Sequence, residues 1–482
     1  MGKFENKAIF YILSLLFIAI NIGFIAYDIY YIAFLPAVLL FFLASFIALD
    51  KILLTIVFFT PLSIQLRDFF PGISLNLSLP TEPLLFGVLV LFIFKLLLDG
   101  RIDKRIMLHP VTISIYFYLF WMLITSLTST MPVVSLKYLL SKIWFIVSMY
   151  ILAAHLFTDK KNIERFIWLY AIGLIVVIAY TNYRLSGYGF DNQRASNWVV
   201  WPFFSDHTSY GAMLVMFLFP LYYFLTRKSL DLFIKAIIGL VFLIFIFAIV
   251  FSYTRAAWLS LLAGIGLWVI IKLKLRLRTV FFAGITIILV AILSYSSFIR
   301  NLEKNESESS GKLSEHIESM ANITTDASNL ERLNRWKCAI RMFKEKPVFG
   351  WGPGTYMFQY APFQFSYDKT IISTNFGDLG NAHSEYLGPL AESGVLGLLS
   401  VFFIIVMVFI TGYRVFRKST GEMKNLSLYI SLGLTTYFIH GFLNNFLDSD
   451  KASVPVWGFM AMLLALDVFY NEKTGLRDST EN

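Results

Sequence analysis

Apolar runs of roughly bilayer length recur along almost the whole chain. They fall at about 8–27, 31–49, 51–66, 82–98, 111–128, 138–157, 163–182, 209–226, 233–251, 256–271, 279–297, 384–411, 426–446 and 454–470. About 20 apolar residues cross a hydrocarbon core as a helix. Backbone polar groups have no water partner there, so each run must bond internally. The runs are too long and continuous for barrel strands, which alternate over about ten residues. The expectation is an all-α polytopic membrane protein with about 12–14 transmembrane helices, fourteen being counted. The short run 51–66 could instead be half of a tight hairpin with 31–49. Composition agrees: 57% of the 482 residues are hydrophobic and 15% charged, against about 25% charged in soluble domains. These values exclude a soluble globular enzyme, a disordered tail and a secreted disulfide scaffold. The single cysteine, Cys338, has no intrachain partner.

The net charge of +9 reads as topology rather than nucleic-acid affinity. With the N-terminus inside, the stretches 1–7, 50–51, 95–110, 158–165, 227–235, 272–278, 412–425 and 471–482 carry 23 Lys and Arg. The short loops on the other side carry six: Arg67, Lys137, Arg184, Arg194, Arg255 and Lys451. This bias places both termini in the cytoplasm. The first run exceeds the 7–15 residues of a cleaved signal core and reads as a retained anchor. Residues 298–383 form one long outer-face loop of 86 residues, with ten basic and ten acidic groups. Its part from Glu303 to Ser319 reads as a solvated helix or mobile strap. The organisation expected is an N-terminal set of helices (1–234), a core with the outer loop (235–400), and C-terminal helices with a cytoplasmic tail (401–482).

Ionisable residues near membrane depth are costly and mark function. Arg255 stands at the outer end of a span, in Ser252-Tyr253-Thr254-Arg255-Ala256-Ala257. Its guanidinium suits phosphate or carboxylate, or a headgroup contact. Residues 327–345 read as an amphipathic helix. At about 100° per residue, Arg332 heads a stripe with Trp336, Ala339, Ile340 and Phe343. Arg335 falls on the edge, and Arg341 on the solvent face. Beyond it lies the turn Phe349-Gly350-Trp351-Gly352-Pro353-Gly354, which seats the helix against the membrane. His383, at the mouth of the next span, can exchange a proton near neutral pH. Two arginines and a histidine on one face suit an anionic leaving group and a general base. Asn381 is a supporting neighbour, and His207 is the reserve base. Asp448-Ser449-Asp450 reads as a polar turn rather than a metal site. No zinc-ligand spacing, phosphate-binding glycine loop or Ser-His-Asp order occurs, so neither cofactor nor metal is expected.

Three segments in order resemble the O-antigen ligase/polymerase family of bacterial surface-polysaccharide assembly. They are Ser252-Tyr253-Thr254-Arg255-Ala256-Ala257; Arg332-x-x-x-Trp336 with Pro347-x-Phe349-Gly350-x-Gly352-Pro353-Gly354; and His383-x-x-Tyr386-Leu387 with Glu392-x-Gly394-x-x-Gly397. The resemblance covers roughly 235–400. Many members have asparagine where this chain has Ser384. The resemblance implies a metal-independent, inverting glycosyltransferase of the GT-C type in the bacterial inner membrane, active on the periplasmic face. Its donor would be a glycan on undecaprenyl diphosphate. Its acceptor would be lipid A–core for a ligase, or a second lipid-linked glycan for a polymerase. Arg255 and Arg332 would hold the diphosphate, and His383 would activate the acceptor hydroxyl. A ligase is the first expectation and an O-antigen or exopolysaccharide polymerase the alternative. A lipid-linked oligosaccharide flippase or a non-catalytic assembly partner is the rival class. A flippase would spread charge along span interiors, where Lys142 is the main example here.

Overall fold

The computed structural model describes residues 2–26, 48–69, 77–99, 102–275, 327–370, 373 and 380–470. The apolar runs 279–297 and most of 31–49, and the strap 303–319, lie outside these residues. The helices are α1 (Gly2–Ile25), α2 (48–59), α3 (Thr81–Asp99), α4 (Pro110–Leu127), α5 (Pro132–Leu156), α6 (Lys160–Ser186), α7 (His207–Thr226), α8 (Leu232–Phe251), α9 (Arg255–Lys272), α10 (Ala327–Glu345), α11 (Leu387–Lys418), α12 (Gly421–His440) and α13 (Asp450–Tyr470). Two-residue strands β1 (Ile64–Gln65) and β2 (Ser78–Leu79) pair antiparallel beside the start of α3.

Nine helices among the described residues are long and apolar enough to cross a membrane: α3 to α9, α11 and α13. The chain is thus a polytopic all-α membrane protein. Of the run 51–66, residues 51–59 belong to α2 and a turn follows at 60–62; the hairpin expected with 31–49 lies mostly outside the described residues. Helix α12 does not meet the apolar criterion, yet it packs on α7, α9, α11 and α13. Ser427, Thr435 and Thr436 are buried on it. A helix facing protein rather than lipid can carry hydroxyls that bond its own carbonyls, as Thr435 does to Ser431 at 2.8 Å. The largest fully buried side chains are tyrosines and phenylalanines, and Tyr170 stacks on Phe217 with centroids 4.3 Å apart.

The two ends of the bundle are built differently. At one end polar contacts join the helices: the ion pairs Lys160 to Glu422 at 2.8 Å and Arg227 to Glu164 at 3.0 Å, and a hydrogen bond between His109 and Asp467 at 3.2 Å. At the other end Asp448 and Asp450 serve different neighbours. Asp448 accepts from Lys142 at 2.7 Å and Tyr138 at 2.6 Å, so the one charge seen mid-span in the sequence is paired. Asp450 takes the hydroxyls of Ser63 and Thr81. Lys451 donates to Thr60 O at 2.6 Å and Ser63 O at 2.7 Å, satisfying carbonyls just past the C-terminus of α2.

Helix α10 has the bounds read from its periodicity, but its buried face is rotated. Glu331, Asn334, Arg335, Cys338, Ala339 and Met342 are buried, whereas Ile340 is 40% exposed. The polar members bond to each other and to the segment that follows. Arg335 pairs with Glu331 at 2.7 Å and lies 3.9 Å over the Tyr360 ring. Asn334 donates to Gln364 at 2.8 Å. Burial works to raise the Glu331 carboxyl, but the Ser373 hydroxyl and Arg335 outweigh it and hold the group below the usual range. Arg341, expected in solvent, donates to Phe363 O at 2.7 Å and pairs with Asp368. A helical wheel assigns polarity to solvent, and these polar side chains instead satisfy one another under residues 356–370 and Ser373. Cys338 lies at the centre of this packing, and burial pushes its thiol up to about 11. It is therefore expected to resist maleimide in the folded protein and to react only on denaturation; rapid native labelling would show this packing wrong.

Candidate active site

Helix α11 breaks once, at Gly394, where φ is 69° and ψ is −165°. The break frees three carbonyls and a backbone N–H, and each finds a partner. Trp351 N donates to Ala391 O at 3.1 Å, Gly352 N to Glu392 O at 2.8 Å, and Trp121 Nε1 to Ser393 O at 2.8 Å. Val395 N donates to Pro347 O at 3.0 Å. The Glu392 carboxylate accepts from Tyr356 N at 2.9 Å. The two glycine motifs noted in the sequence are therefore the two halves of one backbone clasp. A Cβ at Gly350 would lie 2.3 Å from the Glu392 carbonyl carbon, so only glycine permits this approach. The clasp seats the end of α10 on α11 and sets where Arg332 and Trp336 point.

A second lock joins the starts of α7 and α9. Asp206 Oδ1 caps α7, accepting from Thr208 N and Ser209 N, both at 2.8 Å. Between α8 and α9 the chain turns through Tyr253, whose φ of 50° is uncommon for a bulky residue. Tyr253 OH donates to Phe190 O at 2.8 Å. Thr254 Oγ1 donates to His207 O at 2.8 Å. Gly211 lets the helices approach: a Cβ there would sit 2.9 Å from the Thr254 side chain. Arg255 is thus the first residue of α9, held one residue from a contact to His207.

His383 stands just before α11. Its φ is 47°. Its N–H donates to Asn381 Oδ1 at 3.0 Å, and its carbonyl accepts from Trp336 Nε1 at 3.2 Å. Ser384 Oγ then accepts from Tyr386 N at 3.3 Å and Leu387 N at 3.4 Å, capping the helix start. Glu385 binds the opposite wall: its Oε1 accepts from Phe446 N at 2.6 Å, Leu447 N at 2.9 Å and Tyr437 OH at 2.7 Å.

These supports converge on a cavity of ≈ 620 Å³. Arg255, Arg332, His383, His207 and Asn381 all line it, together with Asp206, Asn444 and Asn445. Arg335 does not; it serves the core of α10. Burial, Arg332 and Arg335 push the His383 imidazole down to about 4, while Asp206 and Glu331 act in the opposite sense. His383 is therefore neutral at pH 7 and can accept a proton. The arrangement offers two guanidiniums for an anion, a neutral base, and amide groups suited to hydroxyls.

Sequence reasoning missed Asp206, Glu385 and the Asn444-Asn445 pair. Asp206 carried a signal, an aspartate immediately before an apolar run, which is a helix cap. Glu385 carried none, because its partners Tyr437, Phe446 and Leu447 lie more than 50 residues away; Asn444 and Asn445 bond nearby residues, and their place in the cavity comes only from tertiary packing.

A multi-pass helical membrane protein with a polar, cationic cavity at the ends of its helices is the class that fold and site define. Residues 240–402 match the family model described as O-antigen ligase. They contain Arg255, Arg332, Asn381, His383 and both halves of the clasp. This match supports an O-antigen ligase/polymerase family, and with it a membrane enzyme of ligase or polymerase type. No curated protein matches the chain.

Proposed function

We propose that this protein is an inverting GT-C-type glycosyltransferase that moves a glycan from undecaprenyl diphosphate to an acceptor hydroxyl. Lipid A–core is the acceptor in this reading, which makes the protein a ligase. The reaction takes place at the periplasmic face of the inner membrane, with both termini in the cytoplasm; the 23-to-6 bias of basic residues supports that orientation. The observation that carries the reading is one cavity lined by Arg255, Arg332 and His383, all inside the matched segment.

Arg255 and Arg332 hold the donor diphosphate and neutralise charge as it leaves. The acceptor oxygen attacks C1 from the opposite face. The C1–O bond breaks, and its electron pair goes to the diphosphate oxygen. The acceptor proton passes to neutral His383. The diphosphate leaving group supplies the driving force, so neither nucleotide nor metal ion is needed. Asn381 holds the backbone of His383, and Arg335 acts indirectly by keeping α10 packed.

The test is glycan transfer by the purified full-length protein in lipid, without nucleotide or divalent metal. Lipid A–core and a second lipid-diphosphate glycan are offered as separate acceptors. Transfer to lipid A–core, lost in the Arg255→Ala, Arg332→Ala double variant, is expected. Transfer only to the lipid-linked glycan would make the protein a polymerase. Donor binding without transfer to either acceptor would overturn the enzymatic reading in favour of a flippase or assembly partner.

A further inference from the structure

His207 lines the same cavity as Arg255 and Arg332, and the base assigned to His383 leaves it without a task. Its Nδ1 is buried and, among the described residues, has no hydrogen-bond partner. A histidine kept for structure uses its ring to tie two elements together, as His109 does with Asp467 at 3.2 Å. His207 does its tying through the backbone instead: its carbonyl accepts from Thr254 Oγ1, and Asp206 caps the helix start. The ring is thereby held in the wall of the cavity that Arg255 also lines, with its Nδ1 unpartnered among the described residues. The charged groups acting on it are Asp206 at its own helix start, Arg255 on α9 and Arg332 on α10.

We propose that His207 is a third diphosphate-binding group, donating an imidazole N–H to a phosphoryl oxygen of the donor alongside Arg255 and Arg332. This rests on the function proposed above. An imidazole N–H adds a directed donor to the two guanidiniums that line the same cavity. A hydrogen bond to a charged oxygen is about twice as strong as a neutral one. As C1–O breaks and the electron pair moves onto the diphosphate, that bond strengthens. His207 keeps its proton throughout, and the acceptor's proton goes to His383. His207 is thus a catalytic residue on the leaving-group side, and His383 is the base on the acceptor side.

The probe is undecaprenyl diphosphate without a sugar, with undecaprenyl monophosphate as comparator, titrated onto the full-length protein in nanodiscs. His207→Ala is expected to weaken diphosphate binding about ten- to a hundredfold. Monophosphate binding should change less than about threefold, below the span of a single charged hydrogen bond. His207→Gln, which keeps an N–H donor, should recover part of the loss. The proposal is overturned if His207→Ala binds the diphosphate as well as the parent while Arg255→Ala and Arg332→Ala lose it. It is also overturned if His207→Ala and His207→Gln lose both ligands equally along with thermal stability, since that marks a structural role. If the parent protein itself does not prefer the diphosphate, the proposed function fails as well.

Discussion

His383→Ala is expected to lower glycan transfer by about 100- to 10,000-fold, the usual contribution of a positioned general base, while donor binding is retained. The pH profile of the parent protein should carry the same signature. In the free protein the imidazole is pushed down to about 4 by burial, Arg332 and Arg335. The base works only when neutral, so kcat/KM should hold across neutral pH and fall as pH drops through about 4. A bound diphosphate offsets the charge of Arg332 and moves the imidazole upward. The acid limb of kcat should therefore lie at higher pH than that of kcat/KM. Such a shift has a chemical use, because a base near 4 is weak and strengthens only once the donor is in place. Stability follows the same sign. Between the ordinary value near 6.5 and about 4, the unfolded chain binds a proton that the folded one refuses. The stability contributed by this group is complete above that window and is lost as pH falls through it. A His383→Ala variant with near-parental kcat would sink the assignment, as would superimposable acid limbs.

Gly394→Ala is expected to abolish transfer and to cost on the order of 3 kcal/mol or more of stability. Two separate causes combine. The φ of 69° with ψ of −165° lies in a region that L side chains essentially do not adopt. The new Cβ would also fall 2.1 Å from Val348 O, and backbone atoms on both sides leave no flexible group to yield. Relief requires opening the clasp. That strands the carbonyls of Ala391, Glu392 and Ser393 and releases the end of α10, on which Arg332 and Trp336 depend. Thermal unfolding and limited proteolysis around residues 346–355 would register the change. Gly266→Ala is the control: no described atom lies within 4 Å of that Cβ, and alanine favours a helix interior. Parental stability and transfer in Gly394→Ala would refute the clasp as the element that sets the site.

The same comparison shows what could be read in advance. The helices were legible because hydrocarbon imposes one rule on every residue of a crossing helix, so nine apolar runs became α3 to α9, α11 and α13, and a tenth became α12. The bounds of α10 were legible for a similar reason, since its period is local. Its rotation was not. Arg335 was placed on an edge and Arg341 in solvent, but both are covered by residues 356–368, and only those partners make burial of the polar groups tolerable. Arg255, Arg332 and His383 stood out as charges beside apolar runs. That Arg255 and His383, 128 positions apart, line one cavity depends on contacts that no local pattern encodes.

By itself the sequence determined the membrane class, the helix positions, the bias of basic residues between the two sides and the three segments of family resemblance. Each follows from short-range chemistry: hydropathy over twenty residues, charge in a loop, or a motif of a few positions. Only the tertiary structure decided that the two glycine motifs are one clasp, that Asp448 and Asp450 hold different helices, and that His207 stands with Arg255. These are pairings between distant segments, and their energies depend on burial and geometry that exist only once the helices have packed.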